Sequence, residues 1–250
     1  MPALILSIPF LAASLGSAGV AAAGQGFEIP EVRYPQLKAA APDADGFVPP
    51  GWEVVGRDSG DLNGDGRADL VLLMQMRDPA NVLTIPGGDG SERFDTNPHL
   101  LAVVFAAPAG GYRLAASNSG LFFRPAAPYS GDDPLGDDTI SIERGSLLVS
   151  FGFLRGGASY RFRWRSGAFR LIGYDASGVS GGCVESISIN YPTRRAQLTN
   201  EPVESDRTRV ARRRVIGRAP PTLDRIDLDS FRPEEDISGP PLPCPRPGDE

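Results

Sequence analysis

Nine residues in this chain combine side-chain types and spacing suited to a hard cation. Asp61-Leu-Asn63-Gly-Asp65-Gly66-Arg67-Ala-Asp69 places side-chain oxygens at the first, third, fifth and ninth positions, with glycine at the sixth. Calcium takes about 6–8 oxygen ligands, and alternating Asp and Asn in a tight turn can wrap them round one ion. The glycine lets the loop double back, and the Arg67 backbone carbonyl supplies the seventh position. Carboxylates crowded into so short a segment repel one another unless a cation neutralises them. Magnesium suits the pattern less well, because it keeps its waters and dislikes all-protein cages. An EF-hand would need a bidentate Glu at the twelfth position, where Leu72 stands, and a helix next, where the chain reads as strand. The expected metal ligands are therefore Asp61, Asn63, Asp65, the Arg67 carbonyl and Asp69. The alternative is a metal-free Asx/Gly turn.

Other chemistry is sparse. His99 is the only histidine, which removes His-clustered metal sites and His-pair chemistry. It follows Pro98, in a segment that reads as loop. No cysteine lies in a CxxC, and no GxSxG is present. Nucleophile–base arrangements are not visible, so an enzyme is the weaker reading. A second acidic loop, 131–138, lacks the every-other-residue spacing and reads as a solvated turn. Arginines at 207, 209, 212, 213, 214 and 218 form a basic run. It could meet an anionic polysaccharide or phosphate, but the plainer reading is a charged edge strand that blocks edge-to-edge pairing.

The elements around these residues read as short strands. Segment 69–76 (DLVLLMQM) is an apolar run of strand length. Segments 100–106 and 112–117 flank a glycine turn and predict a hairpin. Ile140 and Ile142, then Leu147, Val149 and Phe151, alternate about Arg144-Gly145. Tyr160, Phe162 and Trp164 share one face opposite Arg161, Arg163 and Arg165, and Phe169 and Leu171 return after Ser166-Gly167. Such alternation marks a half-buried antiparallel sheet, so these aromatics read as core rather than as a sugar-stacking platform. Segments 186–190 and 208–216 are further strands. A helical turn or two is expected at 222–231, and 77–99 reads as a long loop. With Gly 30 and Pro 24, many turns and few helices follow. The expected fold is mainly β, a single antiparallel meander or sandwich-like domain with few short helical turns. The calcium loop occurs once, which does not support a multi-blade ring.

The ends carry their own signals. Residues 1–23 hold a short apolar core, 3–13, then small residues ending Ala21-Ala22-Ala23. That pattern reads as a signal peptide, too short to span a bilayer. Residues 24–46 read as an irregular leader that packs loosely, 47–231 as the β-domain, and 232–250 as a Pro-rich tail. Cys183 and Cys244 are the only cysteines. An even pair in an oxidising compartment is most simply one disulfide; two unrelated free thiols are the alternative. The expected localisation is periplasmic or secreted. With 31 acids against 25 bases, net charge −6, nucleic acid is not an expected partner. No later apolar run is long enough to span a membrane.

The calcium loop with the strand after it, Asp61 to Val71, resembles FG-GAP/VCBS-type repeats. The resemblance extends to uncharacterised exported bacterial proteins with a single such loop. It rests on Phe47-Val-Pro-Pro-Gly-Trp52, the loop itself, Gly111-Tyr-Arg-Leu114, Tyr160-Arg-Phe-Arg-Trp164, Phe169-Arg-Leu-Ile-Gly173 and Ser188-Ile-Asn-Tyr191, in that order. It implies a calcium-loop β-domain and no activity. The functional expectation is an exported, non-catalytic, calcium-binding β-domain with a structural or binding role at the cell envelope. Its partner would be a protein or polysaccharide there. The alternatives are a periplasmic hydrolase using carboxylates of 77–99 and 132–138, and an inhibitor or immunity-type binding protein.

Overall fold

A computed structural model describes residues 28–87, 90–124, 140–217, 219–228 and 230–245. The expected signal peptide, the acidic loop 131–138 and Arg218 lie outside the described residues. The strands, in chain order, are β1 (Ala40–Ala41), β2 (Trp52–Gly60), β3 (Asp69–Met76), β4 (Val82–Gly87), β5 (Gly90–Asp95), β6 (His99–Ala106) and β7 (Tyr112–Asn118). There follow β8 (Ile140–Glu143), β9 (Ser146–Phe153), β10 (Gly156–Arg165), β11 (Ala168–Ser180), β12 (Cys183–Asn190), β13 (Arg195–Pro202) and β14 (Arg209–Arg214). Three short 3-10 turns are the helical content of the described residues. One sheet runs β1-β7-β6-β3-β2, a second is the meander β14-β13-β12-β11-β10-β9-β8, and β4-β5 form a separate hairpin. Every named strand pair is antiparallel, so the mainly β, antiparallel fold expected from the sequence is present.

Strand periodicity explains how the sheets stack. Val71 and Leu73 of β3, with Leu101 and Val103 of β6, face the meander. There they meet Leu147, Val149, Tyr160, Phe162, Phe169 and Leu171 in one core. Leu70, Leu72, Met74, Leu100, Ala102 and Val104 point the other way, into a second core. A strand buried on both faces reads as an unbroken apolar run, which is why 69–76 and 100–106 do not alternate. Each fully buried Leu or Phe contributes about 1.5–3 kcal/mol, so these two strands anchor the domain.

The second core corrects the expectation that 24–46 packs loosely. Leu37 and Ala44 are buried with Phe47 and Trp52 against the outer face of β3 and β6. Ala40 and Ala41 pair with Arg113 and Tyr112, and Leu114 N donates to the Ala39 carbonyl at 2.9 Å. The leader is a lid over an apolar face that would otherwise meet water. The expected long loop 77–99 is also corrected, because most of it is the β4–β5 hairpin. Its base is tied by Asn81, Thr96 and Asn97, and by Arg124, which donates to the Thr96 and Pro30 carbonyls at 2.7 Å each. His99 opens β6 opposite Gln75 rather than sitting in a loop. Segment 222–231 forms the expected short helical turns, with Ile226 N donating to the Thr222 carbonyl at 3.0 Å and Phe231 N to the Asp227 carbonyl at 2.8 Å. Asn118 holds them, donating to the Leu223 and Ile226 carbonyls at 2.6 and 2.8 Å.

The meander crosses closely over β2. A Cβ on Gly60 would lie 2.8 Å from Ile142 Cγ2, and one on Gly56 would lie 3.6 Å from Ile140. Asp58 Oδ2 accepts from Ile142 N at 2.6 Å, pinning β8 to β2. Glycine at these positions lets the sheets close beside the 61–69 loop.

Candidate metal centre

The loop 61–68 joins β2 to β3, whose last pair is Gly60 opposite Asp69. Gly64 and Gly66 take φ of 82° and 80°, a left-handed conformation that disfavours other residues. With those reversals the loop curls round the Asp61 carboxylate. Asp61 Oδ1 accepts from Gly64 N at 2.7 Å and Asp65 N at 3.2 Å, and Oδ2 accepts from Gly66 N at 2.9 Å. These backbone donors, Gly66 foremost, hold the Asp61 carboxyl below the usual aspartate range. Asn63 Oδ1 also accepts from Asp65 N, at 2.9 Å, so the Asp61 and Asn63 oxygens share one donor and lie side by side. Asp65 Oδ1 accepts from Arg67 N at 2.9 Å, and its Oδ2 pairs with the Arg67 guanidinium.

Asp69 is placed differently. It is fully buried, with 0% exposure, while Asp65 faces solvent. Its Oδ2 accepts from Leu62 N at 2.9 Å and Asn63 N at 3.3 Å, and its Oδ1 accepts from Ala106 N at 3.0 Å. One carboxylate thus ties the loop to the end of β6. Burial pushes its carboxyl above the usual aspartate range, and the three backbone donors oppose that shift. Leu62, 3% exposed, fills the core between the two sheets. The loop is therefore wedged into the sandwich at one point and open to solvent at another.

An ionised carboxylate offers about four acceptor sites and an amide oxygen two. The hydrogen bonds described above leave at least one site on each of Asp61, Asn63, Asp65 and Asp69, and the Arg67 carbonyl is a further oxygen ligand. Five hard oxygens completed by water suit calcium. Asp61 and Asn63 are brought together, Asp65 faces Arg67, and Asp69 is turned to backbone. Among the described residues, no three His, Cys, Asp or Glu side chains form a metal-holding group. The residues fit a calcium ion by donor type and spare acceptor capacity, with Arg67 the competing cation at Asp65.

The other residues singled out by sequence fall as follows. Cys183 and Cys244 are bonded, with Cα atoms 6.2 Å apart. That bond anchors the tail, and Asn200 Nδ2 donates to the Leu242 carbonyl at 2.5 Å beside it. Tyr160, Phe162 and Phe169 are buried, and Trp164 packs edge-on against Phe105 at 4.9 Å, so these aromatics are core. Asp78 accepts from Ala80 N, and Asp95 accepts from Asn97, as structural caps of the β4–β5 hairpin. Burial pushes the His99 imidazole below its usual range, and its Nδ1 has no partner among the described residues. The basic run divides, with Arg209–Arg214 forming the edge strand β14. Sequence reasoning missed the Ala106 N–H and the role of Leu62. The only signal for either was the apolar residue inside an otherwise polar loop. Among the described residues no helix is long and apolar enough to cross a membrane. The chain matches no family model, no curated protein and no solved structure.

Proposed function

We propose that this chain is an exported, non-catalytic β-domain that binds one calcium ion in the 61–69 loop and serves a structural or binding role at the cell envelope. The observation that carries the reading is the arrangement of the loop. Its backbone N–H groups hold Asp61 and Asn63 with their oxygens side by side, and Leu62 and Asp69 fasten the same loop into the core. Calcium would neutralise the carboxylates and be held by Asp61, Asn63, Asp65, the Arg67 carbonyl and the remaining site on Asp69. The likeness of this segment to FG-GAP/VCBS calcium loops supports the same reading. Export is supported by the apolar, small-residue pattern of 1–23 and by the Cys183–Cys244 bond, which suits an oxidising compartment.

Thermal melting of the purified protein with calcium, magnesium or chelator tests the metal. A ligand that binds only the folded state adds about 2.7 kcal/mol at 100 times its dissociation constant. Calcium is expected to raise Tm more than magnesium does. Asp65→Ala removes most of that rise and leaves the chelated protein folded, because Asp65 bonds only within its own loop. Equal melting temperatures in calcium and chelator would reduce the motif to a metal-free turn.

A further inference from the structure

We infer a second binding site, on the solvent face of the meander, for a glycan that carries sulfate or phosphate esters. Strand alternation puts Arg195 of β13 and Arg212 and Arg214 of β14 on one face. Arg195 lies directly opposite Arg214, and Arg212 lies opposite Gln197. Directly opposed side chains start about 4.5–5.5 Å apart, and like charges there repel. All three residues are exposed. Among the described residues none of the three guanidiniums meets a carboxylate. The register row Asp175–Ser188–Gln197–Arg212 puts its one carboxylate three strands away from Arg212. Elsewhere on this face Arg161 pairs with Glu143 at 3.2 Å, and Arg163 donates to Ser146 Oγ at 3.0 Å.

Protection of a sheet edge does not account for this cluster. Arg195 is on the second strand, not the edge. The edge at Arg214 is already covered, because Ser238 N donates to the Arg214 carbonyl at 2.9 Å and Ile216 N to the Asp236 carbonyl at 2.8 Å. What remains is a cleft of about 890 Å³ with the three arginines, Ser188, Thr193 and Gln197 in its lining and no carboxylate among its described lining residues. In a chain of net charge −6 this is a local reversal of sign. Guanidinium forks match oxyanions, and a tetrahedral sulfate or phosphate has enough oxygens for several guanidiniums at once. The uncharged hydroxyl and amide groups beside them suit sugar hydroxyls. Among the described residues no aromatic lines the cleft to stack a nucleic-acid base, and no large apolar side chain lines it to enter a lipid surface.

The test titrates the full protein with a fluorescently labelled sulfated hexasaccharide, read by polarisation, at low and physiological salt. Binding is expected, weaker at higher salt, and absent for the unsulfated hexasaccharide. Arg195→Gln with Arg214→Gln weakens it at least tenfold without lowering Tm, because the pair removed is repulsive. Arg165→Gln with Arg170→Gln removes the same charge from the same chain and leaves binding within about twofold. Three results would each overturn the site: no binding of the sulfated probe, equal losses in the two double variants, or tighter binding of single-stranded DNA or anionic vesicles. Inorganic phosphate competing as well as the hexasaccharide, mole for mole, would overturn the glycan assignment.

Discussion

Asp69→Ala tests whether the loop is part of the fold. The substitution strips the acceptor from three backbone donors, Leu62 N, Asn63 N and Ala106 N. Leaving a buried donor unsatisfied costs about 1–3 kcal/mol. Leu62 N is buried, whereas the other two lie in part-buried surroundings where water can replace the carboxylate. The expected loss is therefore about 2–3 kcal/mol, set mainly by Leu62 N, a sizeable share of the roughly 5–15 kcal/mol that holds a domain together. For a chain of this size that lowers Tm by roughly 4–12 °C. Urea unfolding followed by tryptophan fluorescence in chelator measures it free of any metal effect. Because burial raises the folded pKa of Asp69 above its unfolded value, the folded state holds the proton longer. The favourable term is present below the unfolded pKa and is lost as pH rises through the folded one. Asp69→Ala should therefore also flatten the stability–pH curve in that window. A loss under about 1 kcal/mol, with the curve unchanged, would show that Asp69 does not fasten the loop to β6.

Two further outcomes follow from the packing. Cys183→Ser with Cys244→Ser frees a tail closed over a sequence separation of 61, worth about 4 kcal/mol in the chain-entropy model. A matched fall in the urea midpoint, reproduced by reductant on the wild type, checks it. Gly60→Val sets a branched side chain against Ile142, whose Cγ2 would lie 2.8 Å from the new Cβ. Overpacking of this kind costs about 1–3 kcal/mol, and pairing it with Ile142→Ala should recover part of the loss in a double-mutant cycle.

Legibility in the sequence followed the source of each strand's burial. β9, β10 and the first half of β11 bury one face and show one, so alternation named them and their inward residues correctly. β3 and β6 are buried on both faces, and their unbroken apolar runs were equally plain. β2 gave no signal, because Gly56 and Gly60 stand where side chains would mark the inner face. Their reason for being glycine, the approach of Ile140 and Ile142, lies 84 and 82 residues away in the chain. β13 was hidden because Ala196 and Leu198 are its only apolar side chains before Pro202, and its place is set by neighbouring strands. The β4–β5 hairpin was masked by Pro86 and Gly87, which occupy its tip rather than break it. The leader's buried residues, Leu37 and Ala44, have no strand or helix period, and only Ala40 and Ala41 of the leader pair in the sheet. Periodicity cannot report a segment that covers a face mostly outside its ladder.

The candidate site shows a different limit. The oxygen spacing of the loop was legible as one set, but the fold divides that set by depth. Asp65 is exposed and neutralised by a neighbouring guanidinium, Asp61 organises the turn, and Asp69 is sealed in and bonded to another strand. Charge count alone treats the three acids alike; solvation does not. Ionising the buried acid is costly and is offset by backbone donors from two segments, so its first duty is to hold the β2–β3 loop against β6. Asp65 is exposed and bonds only within its own loop, so a cation held there would exchange without unfolding anything. On the proposed reading, an ion bound at the surface would be coupled to core packing through Leu62 and Asp69, which lie one and four residues from Asp61 and Asp65 respectively. The coupling would be local, and calcium would stiffen the sandwich without reaching its core.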